Sequence, residues 1–322
     1  MRMAMWNSYW DGHSRAPLRV GLATIAAVEF AVEAWAVATM AADPVHFPAT
    51  AGLSQALAGV PWLAWVIYGS VLLGLLALAT DRRPIAGTIW ALLCMVLLSQ
   101  WQTQLFGSPS RNSFFPGAAL FGWMIGSAWA HSLPTLAAGA ARISRQRLAE
   151  AGALACIAAA YVGSGTSKLL SAGISWGDAS QVRALILWQS PVASWDWLLG
   201  YRQTLLMSPG YAQAAGIATL SIELGAVFLL FGRRLRLLSA LAIVAMHVNI
   251  ILLCTMPYLE PMALLLLFAL PWPQLLGSAK IPSIPSITAE TPQSIVPPLW
   301  VIVALALFIA LAWLFAPLGW RG

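Results

Sequence analysis

Residues 148–168 read LAEAGALACIAAAYVGSGTSK. Between Glu150 and Lys168 there is no other charge, and a spanning helix needs about 20 mostly apolar residues. The stretch is therefore expected to cross a membrane, ending on the small residues Gly163, Ser164, Gly165, Thr166 and Ser167. An acid in a first helical turn meets the positive end of the helix dipole, which accounts for Glu150. Lys168 has two readings. At a helix end a lysine commonly snorkels to the headgroups. Held among protein groups it can serve as a base, because desolvation disfavours the ammonium. The small residues before it admit a second helix, which sets the lysine against protein rather than lipid.

The rest of the chain is of the same character. Of 322 residues, 60% are hydrophobic and only 9% charged, where soluble domains carry about 25% charged residues. The expected fold is an all-α, polytopic membrane bundle. Nine spans are expected, over 18–39, 61–80, 84–102, 115–137, 148–168, 211–231, 235–255, 257–276 and 298–317. They divide the chain into an eight-span domain over 1–276, a Pro/Ser-rich cytoplasmic linker over 277–297 and one further helix within 298–322. No signal peptide is expected in MRMAMWNSYWDGHSRAPLR, which lacks an apolar core and reads as a short interfacial segment.

The net charge of +6 sets topology rather than recognising nucleic acid. Twelve of the 17 lysines and arginines fall on the side of the N-terminus and five on the other. Basic loops stay inside, so the N-terminus is expected in the cytoplasm of a cell with a bacterial-type inner membrane. On the outer side, residues 169–210 carry Trp176, Trp188, Trp195, Trp197 and Tyr201 among leucines. They read as amphipathic helices at the interface, forming either an aromatic belt or a lid over a lipid-accessible pocket. Cys94, Cys156 and Cys254 lie far apart and read as buried hydrophobes.

A charge at the bilayer centre costs at least about 2.5–3.5 kcal/mol, so each intramembrane polar residue needs a reason. Glu29 and Glu33 share a face of the first span. Lys168 ends the fifth, Glu223 lies in the sixth, His247 in the seventh, and Glu260 opens the eighth. Several of these fall in the outer half of the membrane and point to a pocket opening outward. No Walker spacing, S-x-x-K nucleophile or H-E-x-x-H zinc pair is present, and no metal is expected.

Two segments carry a resemblance. The stretch YVGSGTSKLLSAGISWGDASQVRALIL, with Tyr161, Gly163, Gly165, Lys168, Leu169, Trp176 and Gly177, resembles a motif of the vitamin K-dependent gamma-carboxylases. It is similar also to their bacterial relatives, the horizontally transferred transmembrane domain proteins. The stretch AMHVNIILLCTMPYLEPMALLLLFALP is similar to the family's late histidine helix, with His247 at the histidine. The resemblance spans roughly residues 15–276. It implies that Lys168 deprotonates a reduced quinone (menaquinol or similar), that oxygen converts the quinol to a strong base and then an epoxide, and that the site faces outward. Where the carboxylases have a histidine after the third span, this chain reads SRNSFFPG, and Asn112 can hydrogen-bond there without shuttling a proton. The carboxylases' large extracytoplasmic C-terminal domain has no counterpart, so quinone binding, or quinol chemistry on a lipid-like substrate, is expected ahead of peptide carboxylation.

The expectation is a membrane enzyme with Lys168 and His247 as catalytic residues. Tyr161, Trp176, Glu33, Glu29, Glu223, Asn112 and Glu260 would line its pocket. Two other readings stand beside it. One is a non-catalytic subunit with a partner membrane protein, serving peptide maturation, export or electron transfer. The other is a transporter, against which the lack of an internal repeat weighs.

Overall fold

The computed structural model describes residues 15–43, 52–57, 59–106, 114–132, 138–189, 196–254 and 258–272. Among them there are helices and no strands. The elements are α1 (Ala16–Ala41), α2 (Gly52–Ala56), α3 (Leu63–Ala79), α4 (Pro84–Phe106), α5 (Phe114–Ser132) and α6 (Ala138–Ala172), then α7 (Ala179–Gln189), α8 (Asp196–Met207), α9 (Pro209–Leu224), α10 (Arg233–Cys254) and α11 (Leu259–Ala269). Two 3₁₀ stretches, Gly173–Gly177 and Gly225–Leu230, follow α6 and α9.

Among the described residues, five helical runs are long and apolar enough to cross a membrane: Ala16–Ala41, Pro84–Phe106, Arg145–Gly177, Pro209–Leu230 and Arg233–Cys254. The chain is thus built as a membrane protein. Three spans expected from the sequence are not among these five and are shorter as helices, the one over 115–137 forming α5, of 19 residues. The one over 61–80 forms α3, of 17 residues. The one over 257–276 is helical for 11 residues in α11, because Pro271 disfavours helical geometry in the residue before it. The linker over 277–297 and the span over 298–317 lie outside the described residues, as do Asn112 and Trp195.

The described residues form two compact units, one built mainly from residues 15–157 and one from residues 158–269, and α6 runs from the first into the second. In the first unit, α1 shows how a helix in lipid is sorted. Its buried face carries Leu18, Leu22, Ala26, Phe30, Ala34 and Val37, but also Arg19 and Glu33. Its exposed face carries Val28, Val32 and Trp35. The charged groups point inward and the outward face is apolar, the inverse of a soluble helix.

One turn and two ion pairs hold this unit together. α3 and α4 form a hairpin whose bend closes with the Arg82 amide donating to the Ala77 carbonyl at 3.0 Å. Asp81 takes the left-handed conformation at that helix end, with φ of 60°, which Asp tolerates better than most residues. Its carboxylate lies 3.6 Å from Arg19 on α1. Arg15, at the start of α1, donates through Nε to Glu150 on α6 at 2.9 Å, with both side chains almost wholly buried. This corrects the dipole account of Glu150. α6 begins at Ala138, so Glu150 sits in mid-helix, where a buried carboxylate needs a cation rather than a helix end.

In the second unit, α7 and α8 pack on α9 and α10. Ile186, Leu205, Leu253 and Cys254 form a buried cluster there, flanked by Val182, Leu206, Ala215 and Ile250. The 3₁₀ turn Gly173–Gly177 lies against α9, where a Cβ on Gly216 would stand 2.7 Å from the Gly177 carbonyl oxygen.

α5 and α6 meet backbone to backbone. A Cβ on Gly122 would lie 2.1 Å from the Gly152 carbonyl oxygen, and one on Gly126 would lie 2.0 Å from that of Leu148. Gly122→Ala is therefore expected to lower stability by about 1–3 kcal/mol, the usual cost of overpacking. Gly117→Ala on the same helix, with nothing within 4 Å of its Cβ, should cost nothing. Thermal unfolding in detergent compares the two.

Candidate functional site

One face of α6 carries a row of polar and small residues. Tyr161, Ser164, Gly165 and Lys168 stand at positions i, i+3, i+4 and i+7, which line up along one side of a helix. Each meets a partner on the helices behind it.

Lys168 pairs with Glu223, whose Oε1 accepts from Nζ. The two side chains keep only 15% and 7% of their surface exposed. The ammonium also lies over the Trp176 ring, 4.4 Å from its centroid, where the electron-rich face attracts a cation. Trp176 reaches this place because α6 gives way at Gly173, in left-handed conformation with φ of 60°, to the 3₁₀ turn. Ser164 Oγ donates to the same Glu223 oxygen at 3.4 Å. Gly165 is what lets α9 approach, since a Cβ there would sit 3.1–3.2 Å from Leu224 and Glu223. Gly163, from the same small-residue run, faces open space.

Two turns earlier on α6, the Tyr161 hydroxyl lies 2.7 Å from Nε2 of His247 on α10. The tyrosine is 2% exposed and the histidine 5%. The imidazole is flanked by two aromatic rings, Tyr161 with centroids 5.7 Å apart and Tyr258 at 5.4 Å. The Tyr161–His247 pair and the Lys168–Glu223 pair are set seven residues apart on the same face of α6. Two polar atoms in this cluster, Glu223 Oε2 and His247 Nδ1, are buried with no hydrogen-bond partner among the described residues.

Of the expected site residues, the structure gathers Lys168, Glu223, Tyr161, His247 and Trp176, with the buried Glu260 in the first turn of α11. Glu33 and Glu29 belong to the other unit, on α1. Glu33 accepts from Ser99 Oγ on α4 at 2.6 Å, and Glu29 is half-buried. Lys168 lies four residues before the end of its helix rather than at the end. Tyr258 and Ser164 were not singled out as site residues by the sequence. Ser164 could have been found from its i, i+4 spacing to Lys168. Tyr258 follows His247 across a break in the helices, and no local pattern announces it. Among the described residues, no three His, Cys, Asp or Glu side chains are grouped as a metal would require.

Such a cluster can exchange a proton between amine and carboxylate at one end. At the other it can offer an imidazole oriented by a phenol. Comparison of the chain with family models, curated proteins and solved structures finds no match.

A buried charge left without its partner typically costs about 3–5 kcal/mol, while replacing both members is often neutral. Lys168→Met and Glu223→Gln are each expected to lose stability on that scale. The double variant should recover most of it, and a thermal double-mutant cycle in detergent reads the coupling.

Proposed function

We propose that the chain is an integral membrane enzyme that deprotonates a quinol-like hydroxyl in a pocket between its helices, with Lys168 as the base. The reading is carried by the seating of Lys168: paired with Glu223 and covered by Trp176, it is held among protein groups and does not trail into solvent as an anchor would. When the shared proton resides on Glu223, Lys168 is an amine. It takes the hydroxyl proton of the reduced quinone, and the ammonium so formed donates to the carbonyl oxygen of the protonated Glu223 and faces the quinol anion it leaves. The quinol anion supplies the electron-rich carbon framework with which oxygen reacts. The resemblance of residues 161–177 to the carboxylase motif supports the choice of a quinol over other acidic hydroxyls.

The topology belongs to the same proposal. Nine spans, the N-terminus in the cytoplasm and the site opening outward follow from the bias of basic loops. In a background lacking Cys94, Cys156 and Cys254, a cysteine at Arg82 should react only with membrane-permeant reagents in intact cells. One at Gly210 should react with impermeant ones. The reverse pattern would invert the proposed sidedness.

The activity is tested on the full chain in lipid nanodiscs with a reduced naphthoquinone and oxygen, reading quinone epoxide by chromatography. Wild type is expected to form epoxide. Lys168→Arg, which keeps the charge but cannot act as a base, should lose about 100-fold or more, as removal of a general base does. Folded wild type that binds the quinone and forms no epoxide would shift the reading to a non-catalytic subunit.

A further inference from the structure

His247 turns one ring nitrogen to the protein and leaves the other bare. Nε2 faces the Tyr161 hydroxyl at 2.7 Å. Nδ1 is buried and meets no hydrogen-bond partner among the described residues. In a neutral imidazole one nitrogen donates and the other accepts, and the bond made by one decides the state of the other. A phenol hydroxyl is a good donor and its ring-conjugated oxygen a poor acceptor, whereas an unprotonated imidazole nitrogen accepts strongly. The favoured arrangement is therefore O–H to Nε2, which leaves the hydrogen of the imidazole on Nδ1. The Tyr161 and Tyr258 rings flank the imidazole.

We infer that Tyr161 is a positioning residue that fixes His247 as the Nδ1–H tautomer, so that His247 serves the bound ligand as a hydrogen-bond donor and not as a base. This deepens the quinol-site reading and rests on it for the ligand's identity. The other unpartnered atom, Glu223 Oε2, is an acceptor when the carboxylate is ionised. Tyr161 and Lys168 are seven residues apart on one face of α6, roughly 10 Å along its axis. The cluster thus presents a proton-taking end at Lys168 and Glu223 and a proton-giving end at His247. Its complement is a flat molecule with a hydroxyl at one end and an acceptor oxygen at the other. A proton taken from the first oxygen puts negative charge on the conjugated second one, and the Nδ1–H donor stabilises that charge.

The test uses the full chain in nanodiscs with ¹⁵N-labelled histidine. The chain has 4 histidines, and the His247 signals are identified by their loss in His247→Gln. The ¹⁵N spectrum of wild type should show a neutral ring protonated at Nδ1. In Tyr161→Phe the signals should move toward the Nε2–H form, and affinity for oxidised naphthoquinone, which offers only acceptor oxygens, should fall about tenfold. An Nε2–H ring or an imidazolium in wild type overturns the inference, as does a folded Tyr161→Phe with an unchanged spectrum. Wild type that binds no naphthoquinone removes its ligand. If Tyr161→Phe does not fold, the wild-type spectrum decides alone. A protein with the Nδ1–H form and Tyr161-dependent binding but no epoxide keeps this inference and loses the enzyme reading. An epoxide-forming protein with the other tautomer does the opposite.

Discussion

An ammonium among apolar helices must have a counter-charge, and the second unit is arranged around giving Lys168 one. Glu223 cannot reach it unless α9 lies close to α6, and α9 lies close because position 165 has no side chain. The carboxylate is steadied by Ser164, and the open side of the cation is covered by an indole that the glycine turn after α6 swings back. Removing Glu223 leaves a largely buried ammonium without its counter-charge, a costly state for a buried group. The Tyr161–His247 pair rides on the same helix face. Its spacing from Lys168 is therefore set by helix geometry rather than by loops.

The same constraint governs the first unit by different means. There the cations are arginines, whose planar, always-charged heads suit fixed ion pairs. Arg15 binds Glu150 and Arg19 approaches Asp81, tying the start of α1 to α6 and to the α3–α4 bend. Glu33 accepts from the Ser99 hydroxyl on α4. These are fastenings between helices.

Much of the fold was legible, because a lipid-spanning helix announces itself by length and apolarity alone. The spans expected over 18–39, 84–102 and 235–255 fall on α1, α4 and α10 within a few residues. Which face of each helix turns inward was far less legible. Lipid and protein core are both apolar, so hydrophobic periodicity vanishes and only scattered polar residues mark the inner side. Those marks identified Lys168, Glu223 and His247 as residues in need of an explanation. They could not say that Lys168 chooses Glu223 rather than Glu33, since pairing depends on which helices are neighbours. Arg15 and Glu150 are 135 positions apart, and nothing local links them. The premature end of α11 was written in Pro271, whereas the change of winding after Leu224 carried no clear sequence signal.

That change of winding has a mechanical meaning. Gly225–Leu230 is a six-residue 3₁₀ run, longer than such stretches usually are. Arg236 Nε holds the Leu229 carbonyl at 3.2 Å and Ser239 Oγ approaches that of Gly225 at 3.5 Å. A 3₁₀ helix rises about 2.0 Å and turns about 120° per residue, against about 1.5 Å and 100° for an α-helix. Rewinding these six residues as α-helix would shorten the run by about 3 Å and rotate one end against the other by about 120°. Glu223 sits at the threaded end of this screw. A change of pitch in these six residues would therefore turn α9, and the carboxylate it carries, against α10.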